Sequence, residues 1–203
     1  LERQENLTIR TAPSFKYTYI VFNTRHPILG NTQVRQAIAY GINREEIIAQ
    51  KLGGLADLST GLLAPGHWAY EGDVQHYPYD PERAAALLDE AGYPLGADGT
   101  RFPLVLKVSA NKTRRAIAMV MAHQLQELGI AIEVQSYEWG TFFSDVRTGN
   151  FEMASLQWPS IPDPDHYRYI FHTDSIPMDN DGRGANRGAY ENPGLDFLID
   201  QGR

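Results

Sequence analysis

The run PLVLKVSANKTRRAIAMVMAHQLQELGIAIEVQ, residues 103–135, decides how this chain folds. At its start Leu104, Leu106 and Val108 alternate with other residues, the period of a half-buried strand. From Asn111 onward the period changes. Ile117, Val120, Met121, Leu125 and Leu128 recur three and four apart, one face of a helix that Gly129 closes. IAIEVQ (130–135) then alternates again. Strand, helix, strand within about 30 residues is a βαβ unit, and its crossover is expected to be right-handed.

The same alternation continues on both sides. Upstream, DPERAAALLDEAGY (80–93) reads as a helix with Asp80 as N-cap, Pro81 in the first turn and Gly92 as terminator. Ala84, Leu87, Leu88 and Ala91 form its apolar stripe. Downstream, EWGTFFSDVRTG (138–149) predicts a short helix and NFEMASLQW (150–158) a strand. Helices and strands therefore alternate from 80 to 158, which predicts an α/β fold, a mixed sheet with flanking helices. Trp158 falls at the carboxyl end of a strand, the end where open α/β sheets bind ligands.

Nearer the start, LTIRTAP (7–13) and YTYIVFN (17–23) read as extended segments. TQVRQAIAYGI (32–42) is helical, with Val34, Ala37, Ile38 and Ile42 on one face. NREEIIAQ (43–50) opens with an Asn-x-x-Glu capping pattern and stops at Gly53 and Gly54. Residues 55–79 keep neither period and are expected to be a long irregular connection. After residue 170 the chain is polar and glycine-rich until LDFLIDQ (195–201) turns helical. Strand pattern at one end and helical pattern at the other lead us to expect a piece of a longer protein.

The segment QWPSIPDPDHYRY (157–169) packs aromatic rings and prolines into one loop. Prolines at 159, 162 and 164 exclude a helix there and cannot donate to a sheet ladder. It is either a stiff binding wall or a crossover that merely packs. Tyr167, Tyr169 and Phe171 alternate after it and predict a strand with one face in the core. Trp139 and Trp158 stand beside turns, where both a pocket and a core position remain open.

Composition narrows the chemistry. The 203 residues carry 25 acidic and 18 basic side chains, a formal charge of −7, so the global field repels nucleic acid. The absence of cysteine excludes thiol catalysis and cysteine-ligated zinc. DNDGRG (179–184) starts like a calcium loop with Asp179, Asp181 and Gly184, but Arg183 and Tyr190 occupy ligand places, so it reads as a surface turn. Asp163, Asp165, His166 and His172 could make a hydrolytic metal site, although no His-Glu-x-x-His spacing is present. As a pair, Asp163 and Asp165 could serve acid–base chemistry or simply brace a turn. GRGANRG (182–188) has the glycines of a phosphate cradle without the strand and helix such a cradle needs, so it is expected to be a loop.

Five segments in order, VFNTRHPILGNTQVRQAIAYGINREEII, DPERAAALLDEAGY, LQELGIAIEVQSYEWGTFFSDVRTGNFEMASLQW, PDPDHY and YENPGLDFLID, resemble the family-5 extracellular solute-binding proteins. These are the dipeptide-, oligopeptide- and nickel-binding receptors of ABC importers. The resemblance implies one lobe of a bilobal, type II periplasmic-binding-protein-like receptor: residues 1–23 as inter-lobe connecting strands and 24–203 as an incomplete carboxy-terminal lobe. It implies no enzyme and no cofactor. A small solute, by default a peptide, is captured in the periplasm or outside the cell by a free or lipid-anchored monomer, then handed to importer membrane subunits. By the same resemblance Trp139, in EWGTFF, and Trp158 line the cleft. Peptide-binding members carry an Asp where this chain has Ile161, and some carry an Arg where it has Ser155. Trp139, Trp158, Ser160, Ile161 and Asp163 are thus the expected ligand-binding residues. A receptor for a non-peptide solute such as an oligosaccharide, and a hydrolase built on Asp163, Asp165 and His166, stay open.

Overall fold

The structure is a computed structural model that describes Ala12 and residues 14–203. Apart from Ala12, the extended segment expected at 7–13 lies outside the described residues. In chain order the elements are β1 (Tyr17–Phe22), α1 (Thr32–Gly41), α2 (Arg44–Leu52), α3 (Pro81–Glu90), β2 (Phe102–Ser109) and α4 (Lys112–Glu127). They continue with β3 (Ile130–Tyr137), α5 (Trp139–Thr148), β4 (Met153–Trp158), α6 (His166–Phe171) and α7 (Pro193–Gln201).

The βαβ unit of the opening stretch is present as β2, α4 and β3, with β2 and β3 parallel from Phe102–Ile130 to Ser109–Tyr137. β4 joins the other edge of β2 in parallel, and β1 pairs antiparallel to β4, from Tyr17–Trp158 to Phe22–Met153. The sheet order is β1-β4-β2-β3, a mixed sheet. Alternation assigns the faces. Leu104, Leu106, Val108, Ile130 and Met153 pack with α1, α3 and α4 in the main core. Tyr19, Val21, Ala154 and Leu156 face the other way, onto Phe142 and Val146 of α5.

Local signals hold the helices in place. The Asp80 carboxylate accepts the Arg83 amide at 2.9 Å, with Pro81 beside it in the first turn. Asn43 caps α2 by accepting the Glu46 amide at 3.0 Å. The return half of the capping box is relayed instead of direct. The Asn43 amide donates to Gln124 Oε1 at 3.1 Å, and Gln124 Nε2 donates to Glu46 at 3.0 Å. Buried Gln124 on α4 thereby ties two helices together through a cap.

One expectation is corrected. Tyr167, Tyr169 and Phe171 lie on helix α6, not on a strand. All three prolines precede the helix and shape its entry: Asp163 Oδ1 accepts the Asp165 amide, and the His166, Tyr167 and Arg168 amides turn back onto residues 163–165. Four apart on a helix, Tyr167 and Phe171 stack at 6.1 Å. Tyr169 points elsewhere and is 46% exposed.

Candidate functional site

Because β4 runs parallel to β2, Trp158 ends its strand beside the first turn of α4 and the start of α5. This is the carboxyl edge of the parallel strands, as expected. Trp158 is half-buried; edge-on contacts to His166 at 6.2 Å and Tyr169 at 6.3 Å frame its ring. Trp139, at the first position of α5, is 53% exposed. It stacks on Phe143, one helical turn further, at 5.1 Å and 15°.

The two tryptophans are joined through a residue that sequence reasoning passed over. The guanidinium carbon of Arg187 lies 5.3 Å from the Phe143 ring centre and 5.1 Å from that of Trp158. The contacts therefore run Trp139, Phe143, Arg187, Trp158, alternating flat apolar rings with one delocalised cation. Arg187 Nη1 donates to the Tyr19 hydroxyl at 3.1 Å. Burial pushes the Tyr19 hydroxyl above the usual phenol range, opposed by the charge and hydrogen bond of Arg187. At neutral pH it stays protonated. The Trp158 indole N–H is directed toward that hydroxyl but reaches no hydrogen-bond geometry, and it is buried without an acceptor.

A rigid loop sets the position of Arg187. Its neighbour Asn186 is 2% exposed; its amide donates to the carbonyls of Phe171, His172 and Tyr190 at 3.1, 3.2 and 2.7 Å and its carbonyl accepts the Tyr190 amide. On the other side Gly188 lies so close to β1 that a Cβ there would sit 2.6 Å from the Phe22 carbonyl oxygen. Thr24 holds the Gly188 carbonyl through its backbone amide and hydroxyl. GRGANRG is thus a loop, as expected, and it fixes the backbone on both sides of Arg187.

The proline loop supports Trp158 from below. Ile161, 3% exposed, packs with Leu62, Leu63, Ile170 and Ala185. The irregular connection supplies Leu62 and Leu63, and His67 Nε2 meets the Pro162 carbonyl at 3.1 Å. Ser160 and Asp163 are exposed on the same loop. Phe143 also lines a surface groove of about 590 Å³ with Arg147 and Met178.

The hydrolytic constellation is not assembled. Asp165 pairs with Arg203 at 2.6 Å, Asp163 holds its turn, His166 lies against Trp158, and His172 is placed against Asp174 and Asp200. Among the described residues no three acids or histidines gather as a metal site. Asp179 is engaged by Arg25, which holds its carboxyl below the usual range, and Asp181 sits in a left-handed turn. Of the missed residues, Phe143 was visible as the four-residue partner of Trp139. Arg187 and Tyr19 leave no mark in the sequence, because contact with Trp158 comes only from folding.

Comparison with known proteins identifies the family and the fold. The family model for bacterial extracellular solute-binding proteins, family 5, matches residues 1–177. The chain is 31% identical over 210 residues to the oligopeptide-binding protein AppA of Bacillus subtilis, covering 98% of this chain and 38% of that protein. It is also 31% identical over 186 residues to heme-binding protein A of Haemophilus influenzae, covering 90% and 33%. The structure of Bacillus subtilis AppA in complex with a nonapeptide superimposes with a TM-score of 0.84 at 29% identity, over 98% of this chain and 41% of that one. The chain thus spans about two fifths or less of the length of these relatives. It belongs to the bacterial extracellular solute-binding proteins of family 5.

Proposed function

We propose that this chain supplies the carboxy-terminal lobe of a receptor that captures peptides in the periplasm or outside the cell and delivers them to an ABC importer. The observation that carries the reading is the contact series Trp139, Phe143, Arg187, Trp158 at the carboxyl edge of the sheet. It offers flat apolar area and one fixed cation, and no nucleophile with its base. Such a surface is suited to gripping a ligand. Trp139, Trp158, Ser160 and Asp163 face the ligand in this reading, while Ile161 acts from beneath by fixing the loop. Residues 1–23 connect this lobe to a second one, which closes on the ligand because contacts to both lobes form only in the closed state.

A second reading rests on Ile161. The place where the family resemblance expects an acid to pair with a peptide amine holds a buried aliphatic side chain. A ligand without a free amine, such as an oligosaccharide, suits that surface. Mass spectrometry of small molecules released from the purified full-length receptor separates the two. Peptides in the released fraction support the first reading; sugars or another non-peptide solute alone would overturn it.

A further inference from the structure

Two groups of rings meet at the carboxyl edge of the sheet. On α5, Trp139 stacks on Phe143 at 5.1 Å. At the end of β4, Trp158 meets His166 and Tyr169 edge-on at 6.2 and 6.3 Å. Among the described residues no aromatic pairing crosses from one group to the other. Arg187 does cross, with its guanidinium carbon 5.3 Å from the Phe143 ring centre and 5.1 Å from that of Trp158.

Neither tryptophan has a strong anchor of its own. A buried indole N–H usually bonds an acceptor, which sets the rotation of the ring. The Trp158 N–H is buried and has none, so packing and the cation over the ring decide its orientation. Trp139 is largely exposed and rests on Phe142 and Phe143. Arg187, by contrast, is set from the frame. Its Nη1 donates to Tyr19 on β1 at 3.1 Å, Asn186 before it bonds three carbonyls, and Gly188 after it lies against the Phe22 carbonyl. The same arginine is poorly placed to hold a ligand, because its Nε is buried without a partner and its Nη1 is spent. An unmet buried donor lowers stability, so the fold by itself would be served as well by an apolar side chain.

We propose that Arg187 is a positioning residue of the binding wall: it fixes the Trp158 ring relative to Phe143 and Trp139, and acts on the ligand only through them. The proposal rests on the receptor reading above and adds how the wall is held ready. Rings already in place need little ordering when a ligand arrives, which preserves affinity.

The test uses the full-length receptor, first without ligand. Solvent exchange of the Trp158 indole N–H is followed by NMR, the resonance being assigned with Trp158→Phe. Arg187→Gln should speed that exchange roughly tenfold or more, while the Leu106 amide in the core of β2 exchanges as in wild type. Arg187→Lys, which keeps the cation, should restore part of the protection. Phe143→Leu should also speed the indole, across a gap that no ring contact spans, and should add nothing in the Arg187→Gln background. Indole exchange that is unchanged in Arg187→Gln, or that rises only together with Leu106, overturns the proposal. So does a Phe143→Leu effect that is absent or fully additive.

Second, tetra-alanine and its C-terminal amide are titrated calorimetrically into wild type, Arg187→Gln and Arg187→Lys. A positioning role predicts that Arg187→Gln weakens both peptides by the same factor, roughly threefold to tenfold, with Arg187→Lys between. A loss confined to the free acid means that Arg187 touches the ligand, and equal affinity in wild type and Arg187→Gln means that the wall needs no positioning. Either result overturns the proposal. If neither peptide binds wild type, the peptide reading fails and the indole exchange decides on Arg187.

Discussion

Lys107 reaches from the middle of β2 to Asp145 on α5, with Nζ 2.8 Å from the carboxylate and 2.6 Å from the Asn150 carbonyl. Its ammonium also lies 5.4 Å from the Tyr137 ring centre. A lysine in an otherwise apolar strand would be costly to bury unpaired, so the α5 side of the sheet depends on this pair.

Asp145→Asn should therefore destabilise the fold by about 3 kcal/mol, because it leaves the buried ammonium without a counter-charge. Replacing both partners, Lys107→Met with Asp145→Leu, should cost much less. The pH dependence has a definite sign. Hydrogen bonds from Lys107, then Asn150, hold the Asp145 carboxyl below its ordinary value. Its contribution is complete above the unfolded-state value of about 4 and is lost as pH falls through the folded-state value. Urea melts across the acid range should show a shallower acid loss in Asp145→Asn than in wild type. An equally steep loss would show that the pair does not set acid stability.

The loop that aims Arg187 hangs on Asn186. Asn186→Ala removes the two side-chain N–H donors that serve the Phe171, His172 and Tyr190 carbonyls, and the acceptor of the Tyr190 amide, and should cost about 3 kcal/mol. Asn186→Asp should be worse, since a carboxylate would face the same carbonyl oxygens. Melting temperatures rank the variants; an aspartate as stable as alanine would mean the loop rearranges freely.

Most helices and strands and their faces were legible because they rest on a local period, and several helices also on a local cap. Asp80, Pro81 and Gly92 announce α3 in sequence, and Leu104, Leu106 and Val108 announce the buried face of β2. α6 was misread because Tyr167, Tyr169 and Phe171 satisfy a two-residue period while Tyr167 and Phe171 also satisfy a four-residue one. In so short a segment tertiary packing decides between the two, and Ile170 turns inward as only a helix allows. The site was half legible for a different reason. Trp139 and Trp158 are conspicuous singly, but the Arg187 link between them spans more than forty residues to Phe143 and depends on Asn186 and Gly188. No window along the chain contains that relationship.

Two glycines should respond oppositely to alanine. Gly140, in the first turns of α5, has open space where a Cβ would stand, so Gly140→Ala should stabilise by up to about 1 kcal/mol. Gly188→Ala would press a methyl against the Phe22 carbonyl oxygen, backbone that cannot yield without breaking the β1 pairing. A loss of about 2 kcal/mol is expected. Denaturant midpoints of both variants check the pair, and a neutral Gly188→Ala would refute the close approach.

Removing each tryptophan separates gripping from folding. Trp139 is largely exposed, and its ring lies against Phe142 and Phe143 of its own helix. Trp139→Ala should leave stability within about 1 kcal/mol of wild type. Trp158 covers Arg187 and packs on the Ile161 cluster, so Trp158→Ala should cost about 2 kcal/mol of stability while the fold persists. In the full-length receptor both variants should bind the recovered ligand at least ~1 kcal/mol more weakly, since rigid aromatic anchors dominate such surfaces. Calorimetry against the recovered ligand reads affinity, and thermal melts of the same samples read stability. Weaker binding with an intact melt for Trp139→Ala places the exposed ring on the ligand. Unchanged affinity in both variants would remove the aromatic wall from the binding surface, whatever the fate of the fold.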